Sequence, residues 1–136
     1  LPARACADVR AWFGPAHVAT PLHYDHHHGL LVQLVGRKRV LLWPPGARAL
    51  LRAPPAGSPL ANTSPLDPTI AIATRTEEKK EEEEEAEEAR EDAAAVRAMG
   101  ACVELSPGDA LVIPQGWWHH ACSLTTSFSA SFWWND

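Results

Sequence analysis

The chain has 136 residues, 46% of them apolar, which is enough for one domain with a real core and not for two. No run approaches the roughly 18 uninterrupted apolar residues of a membrane span, so no membrane partner is expected. The formal charge of −5 misleads: residues 77–92 hold 11 acids and 3 bases, leaving +3 on the other 120 residues, too weak a surplus for a nucleic-acid footprint.

Cys6, Cys102 and Cys122 are odd in number and lack the close spacing of a zinc knuckle or a redox pair, which points to a reducing intracellular compartment, nucleus or cytoplasm. The sequence opens on Leu1-Pro2-Ala3-Arg4, without Met or a signal-peptide pattern. The expectation is a single domain over residues 1–136 that lacks part of its N-terminal region.

In chain order, residues 1–11 scatter Ala and Arg among apolar positions and predict a loop or short helix. Trp12-Phe13 before Gly14-Pro15 predicts a strand ending in a turn, and Val18 to Asp25 the next strand, with Pro21 at an edge. Side chains alternate along a strand, so His23 and Asp25 share a face, about 7 Å apart along the backbone. One imidazole and one carboxylate make two-thirds of the facial triad that holds non-haem Fe(II) with positions left open. A third ligand must come from elsewhere. His26, His27 and His28 continue the histidine run and predict a solvated rim or the mouth of a site.

Leu30 to Val35 is apolar apart from Gln33 and predicts a strand buried on both faces. Gly36-Arg37 suits a two-residue turn with Gly first, so Lys38 to Trp43 is expected to return antiparallel. If Val40 and Leu42 face inward, Lys38 does too, and a buried ammonium needs an anionic partner. Pro44 to Pro59 predicts a loop with one helical turn near residues 47–52, and Asn62-Thr63-Ser64 turn chemistry packed over the sheet.

Residues 77–98 have strong helix formers but no apolar stripe until Ala93 to Met99. They predict a charged, helical or disordered low-complexity insertion. Strands resume at Cys102 to Leu105 and Ala110 to Pro114. The Pro-Gln-Gly bend then delivers His119, or failing that His120, as the third ligand, 96 positions after His23. Trp117 and Trp118 are expected as bulk beside the site. Ser127 to Trp134 alternates cleanly, with Ser127, Ser129, Ser131 and Trp133 on one face.

His23-x-Asp25 with a distant His119 resembles the iron site of JmjC-type 2-oxoglutarate oxygenases, whose fold is the double-stranded β-helix of the cupins. Gly108, five residues, Pro114, one residue, Gly116, two residues and His119 match the second cupin motif. Trp12-Phe13-Gly14-Pro15, Pro21 to Asp25, Gln33 to Lys38, Asn62-Thr63-Ser64 and Ser127 to Trp134 are similar to the hydroxylase branch that contains factor-inhibiting-HIF and the JmjC-domain protein 5 group.

The resemblance implies a mainly all-β fold, a double-stranded β-helix (cupin, jelly-roll barrel). It implies Fe(II) on His23, Asp25 and His119, with 2-oxoglutarate as co-substrate and O₂ as oxidant. The family places a lysine fifteen residues after the first ligand on the far carboxylate of 2-oxoglutarate, here Lys38, with a hydroxyl, here Thr20, beside it and Trp133 close by. Gly29 departs from the pattern, standing where cupins carry Glu and the hydroxylase branch Asn. The implied activity is a dioxygenase that hydroxylates a side chain of a protein or peptide. The alternatives are an N-methyl-lysine or N-methyl-arginine demethylase, a Zn or Mn cupin such as an isomerase, and a non-catalytic scaffold.

Overall fold

A computed structural model of the chain describes residues 6–69 and 93–135. Eight strands carry the fold: β1 (Cys6–Gly14), β2 (His23–Tyr24), β3 (His28–Val35), β4 (Lys38–Trp43), β5 (Ala101–Leu105), β6 (Ala110–Ile113), β7 (Trp118–Ser123) and β8 (Ser127–Trp134). They form two four-stranded antiparallel sheets, ordered β1-β8-β3-β6 and β2-β7-β4-β5. Consecutive strands change sheet at every step except β4 to β5, which are neighbours across the whole 44–100 connection. This is the winding of a double-stranded β-helix, as the resemblance implied.

Between the sheets lies an apolar floor of Leu31, Val40, Leu42, Leu105 and Ile113. Above it the facing walls are polar: Gln33, Lys38, Ser127, Ser129 and Ser131 are all buried. A second core sits outside the β2-β7-β4-β5 sheet. There the loop after β4, with a 3-10 turn at Pro45–Arg48, and residues 93–99, which are helical, cover Leu22, Leu41, Trp43 and Trp118. Leu51 and Val96 complete this layer, and the Trp43 indole donates to Val96 O at 2.7 Å. Each fully buried large apolar side chain here contributes roughly 1.5–3 kcal/mol.

The outer face of the other sheet is apolar in cross-strand rows, Val9–Phe132–Leu30–Val112 and Ala11–Ala130–Val32–Ala110. Among the described residues nothing covers its ends, where Phe13 is 79% exposed and Val112 56%.

Several sequence expectations change. Residues from Cys6 onward are strand, not loop or helix, because β8 offers a complete partner: Val9 faces Phe132, Ala11 faces Ala130 and Phe13 faces Phe128. Short-range propensity did not contain that pairing. Val18 to Asp25 shrinks to an isolated bridge, Ala19 to Cys122, and the two-residue β2. β3 is buried on one face only, through Gly29, Leu31 and Gln33.

The Gly36-Arg37 turn closes no hairpin. β3 already has β8 and β6 on its two edges, so the turn carries the chain across to the other sheet. Gly36 has φ +72°, and a Cβ there would lie 2.0 Å from Thr126 O. Only glycine fits this corner. Of the expected 77–98 insertion, residues 77–92 lie outside the described residues, while 93–98 belong to the helical piece that Val96 anchors.

Candidate metal centre

His23 lies on β2 and His119 on β7, directly opposite one another in register. Thr63, bridged to His23, and Asn62, exchanging hydrogen bonds with Tyr24, cover the free edge of this two-residue strand. Asp25 follows the end of β2, and its backbone carbonyl accepts from Gly116 N at 3.1 Å. The bend before β7 therefore holds the carboxylate in place of a longer strand. One donor atom each from His23, Asp25 and His119 lies within 4.8 Å of the others.

The hydrogen bonds of the two imidazoles determine what those atoms can do. His23 Nδ1 is 2.8 Å from Pro21 O, and His119 Nδ1 is 3.0 Å from Trp117 O. A carbonyl only accepts, so each Nδ1 carries the proton and each Nε2 presents a lone pair. Those two Nε2 atoms stand 3.6 Å and 3.7 Å from the carboxylate oxygens of Asp25. Burial first, then the neighbouring His23, hold the His119 imidazole below its ordinary range, which keeps it neutral.

Three lone-pair donors thus face a common point with no proton between them. That arrangement is repulsive by itself and is relieved by a cation. Two neutral imidazoles and one carboxylate, their second nitrogens fixed by carbonyls, fit a divalent transition metal with positions left open.

His120 points to the opposite face of β7. It is buried in the outer layer, its Nδ1 without a hydrogen-bond partner among the described residues, and takes no part in the donor set. Trp118 is likewise turned away from the site, into the outer core with its ring edge toward Tyr24. The expectation that it supplies bulk beside the site is corrected by the alternation of β7, which sends His119, Ala121 and Ser123 inward and Trp118 out.

The three donors, Thr20, Lys38 and Trp133 line one open cleft, together with Trp12, Gly29, Ile113 and Ser131. Lys38 is only 8% exposed, its Nζ donating to Ser129 Oγ at 2.6 Å. Among the described residues no carboxylate pairs with it, and burial lowers its pKa. Thr20 Oγ1 accepts from Ala121 N at 3.1 Å, which leaves its own proton free to donate.

Two features escaped the sequence reading. The Trp133 indole donates to Asp25 Oδ2 at 2.8 Å, and Ser129 is the partner of Lys38. Both are contacts across more than 90 positions, and no local pattern marks them. Of the histidine run, His26 is exposed against Tyr24, and His28, turned to the face of β3 opposite Gly29, stacks on Trp134 with ring centroids 5.7 Å apart.

The winding of the two sheets and the inward histidines and carboxylate define the class as a cupin-type β-helix with a His-Asp-His donor set at its mouth. The chain belongs to the JmjC-type cupins: the model of the family described as "Cupin-like domain" matches residues 2–136.

It is 38% identical over 128 residues to the lysine-specific demethylase JMJ30 of Arabidopsis thaliana, covering 94% of this chain and 26% of that protein. It is 36% identical over 127 residues to the Jumonji C domain-containing protein 5 of Drosophila melanogaster, covering 93% and 27%. The chain therefore spans about a quarter of the length of these relatives. Among solved structures, Escherichia coli YcfD superposes with a TM-score of 0.60 at 19% identity, over all of this chain and 27% of that one. The same protein, described as a ribosomal oxygenase in complex with cobalt and 2-oxoglutarate, gives 0.54 at 18%, over 100% and 25%. At such identity the likeness speaks for the fold.

Proposed function

We propose that the chain carries the active site of an Fe(II)- and 2-oxoglutarate-dependent dioxygenase that hydroxylates a side chain of a protein or peptide. The observation that carries this reading is the set of three unprotonated donors, His23 Nε2, Asp25 and His119 Nε2, converging at the mouth of a barrel. These residues would hold the metal. With 2-oxoglutarate and O₂, bound Fe(II) supplies the oxidising power to insert oxygen into an unactivated C–H bond.

The chain's own residues do the rest. Lys38, a buried ammonium with no carboxylate partner among the described residues, would meet the far carboxylate of 2-oxoglutarate in a charge-assisted contact, with the Thr20 hydroxyl able to donate beside it. Ser129 orients the lysine. Trp12 and Trp133 wall the cleft and restrict water, and the small side chain of Ser131 leaves room for the co-substrate. The YcfD complex with cobalt and 2-oxoglutarate supports the same pair of ligands here.

The name of the Arabidopsis thaliana relative, a lysine-specific demethylase, favours a second outcome at the same site. Hydroxylation of an N-methyl group yields loss of that methyl, so a lysine demethylase differs from a hydroxylase in the pose of the substrate, not in the chemistry. A nuclear or cytoplasmic location suits either substrate; among the described residues, no helix is long and apolar enough to cross a membrane.

Anaerobic titration with Fe(II) and 2-oxoglutarate, followed by O₂-dependent succinate release, tests the reading. Wild type is expected to bind both and to release succinate, and Lys38→Ala to lose 2-oxoglutarate while keeping the metal. A scaffold would bind neither ligand, and a Zn or Mn isomerase would ignore 2-oxoglutarate. Mass spectrometry of peptide substrates separates a gain of one oxygen atom from the loss of one methyl group.

A further inference from the structure

The geometry points to Trp133 as the positioning residue of the metal centre: its indole N–H holds one oxygen of Asp25 and so fixes the carboxylate beside the two histidines. This rests on the oxygenase reading and adds to it a task for a side chain expected only to lie near the co-substrate.

Asp25 needs such a hold. It stands past the end of β2, outside the ladder that fixes His23 and His119, and its side chain is 29% exposed. A carboxylate in that position rotates freely unless something grips it. The Trp133 N–H does so at 2.8 Å on Oδ2, a charge-assisted hydrogen bond. The same Oδ2 stands 3.7 Å from His119 Nε2, while Oδ1, 3.6 Å from His23 Nε2, is left without the indole donor. A carboxylate held this way offers the ion one oxygen more readily than two. The number offered matters: two histidines and a single carboxylate oxygen occupy half of an octahedral set, while a chelating carboxylate takes one position more from the incoming ligands.

The indole is itself fixed from the strand side. Trp133 pairs with Gly29 in the β8-β3 ladder, and a Cβ on Gly29 would only touch the ring, at 3.5 Å from Nε1. With no side chain on Gly29, nothing at that position competes for the N–H. From β1, Trp12 packs edge-on at 6.5 Å, itself tied to Ser131 Oγ, and the Arg10 guanidinium lies 5.6 Å over the ring. Three strands therefore aim one N–H at one metal ligand. Outer partners of this kind typically alter metal affinity 10- to 100-fold.

The test is Co(II) titration of the full chain, read by the visible absorption of the bound ion. Trp133→Phe keeps the ring bulk and removes the N–H; about a tenfold or greater rise in the Co(II) dissociation constant is expected, with an altered absorption spectrum. Trp134→Phe, a neighbouring indole that stacks on His28, is expected to match wild type in both. In the wild-type protein, the Trp133 indole proton should exchange slowly with solvent and shift when diamagnetic Zn(II) is added, a measurement that requires no variant. Unchanged affinity and spectrum in Trp133→Phe, or an indole proton that exchanges as fast as a free one, would overturn the proposal and leave the oxygenase reading standing. Failure of the wild-type protein to bind Co(II) would overturn both.

Discussion

His119 and His120 are adjacent and chemically identical, yet only one of them faces the cleft, because a strand sends successive side chains to opposite sides. His23→Ala, Asp25→Ala and His119→Ala are each expected to abolish Co(II) or Fe(II) binding, and His120→Ala to retain it, as read by metal titration. Binding retained in His119→Ala and lost in His120→Ala would reverse the assignment. Lys38 provides a second test at this scale. Its amine sits below the ordinary lysine range because burial disfavours the charged form. Between that lowered value and the unfolded one of about 10.4, the unfolded chain binds more protons than the folded chain. Stability of the ligand-free protein therefore rises with pH through that window and falls as pH drops back through the folded value. Lys38→Met removes the buried charge: the expected result is a ligand-free protein more stable by about 1 kcal/mol or more near neutral pH, no rise from this group at alkaline pH, and loss of 2-oxoglutarate binding. Urea melts of the two proteins across the alkaline range give the comparison.

Among the elements, the corner between β3 and β4 decides whether Lys38 enters the barrel at all. Gly36 can occupy it because its φ of +72° and its contact with Thr126 O both exclude a side chain. Gly36→Ala is expected to cost about 2 kcal/mol or more in chemical denaturation. The outer layer is bound to the sheet in a similar way at Gly100, where a Cβ would lie 2.7 Å from Trp43 Nε1. Gly100→Ala must displace a buried indole that is hydrogen-bonded to Val96 O, with an expected loss of about 1–3 kcal/mol. Neither substitution touches the donor set, so the fraction that remains folded should still bind Co(II).

For the whole molecule, a bound ion joins β2 to β7 through His23 and His119 and fixes Asp25 beyond both. Binding confined to the folded state stabilises it by about 2.7 kcal/mol at a hundredfold excess over Kd, roughly 10 °C in melting temperature for a chain of this size. A thermal melt with and without Co(II) measures this directly, and the triple variant lacking all three donors should show no shift. Deletion of residues 77–92 removes a net −8 from the 44–100 connection, none of whose described residues lines the cleft. Co(II) and 2-oxoglutarate affinities of that variant are expected to match wild type within about twofold, because the deletion removes none of the donor or lining residues.

Much of this was legible in one dimension, for identifiable reasons. The His23-x-Asp25 spacing, the Gly108 to His119 motif and the serine alternation of β8 are local patterns; strand geometry converts the last into a shared face by itself, whereas Asp25, past the end of β2, is brought to the histidines by the bend before β7. Lys38 followed from Val40 and Leu42 by the same alternation. What the sequence could not decide was pairing. That β1 is a strand, that β3 and β4 separate into different sheets, that Val96 anchors residues 93–99, and that the Trp133 indole reaches Asp25 all depend on partners from 53 to 128 positions away, or on edges that other strands already occupy. Alternation fixes which way a side chain faces on its own strand; only the closed arrangement of all eight strands determines what it meets there.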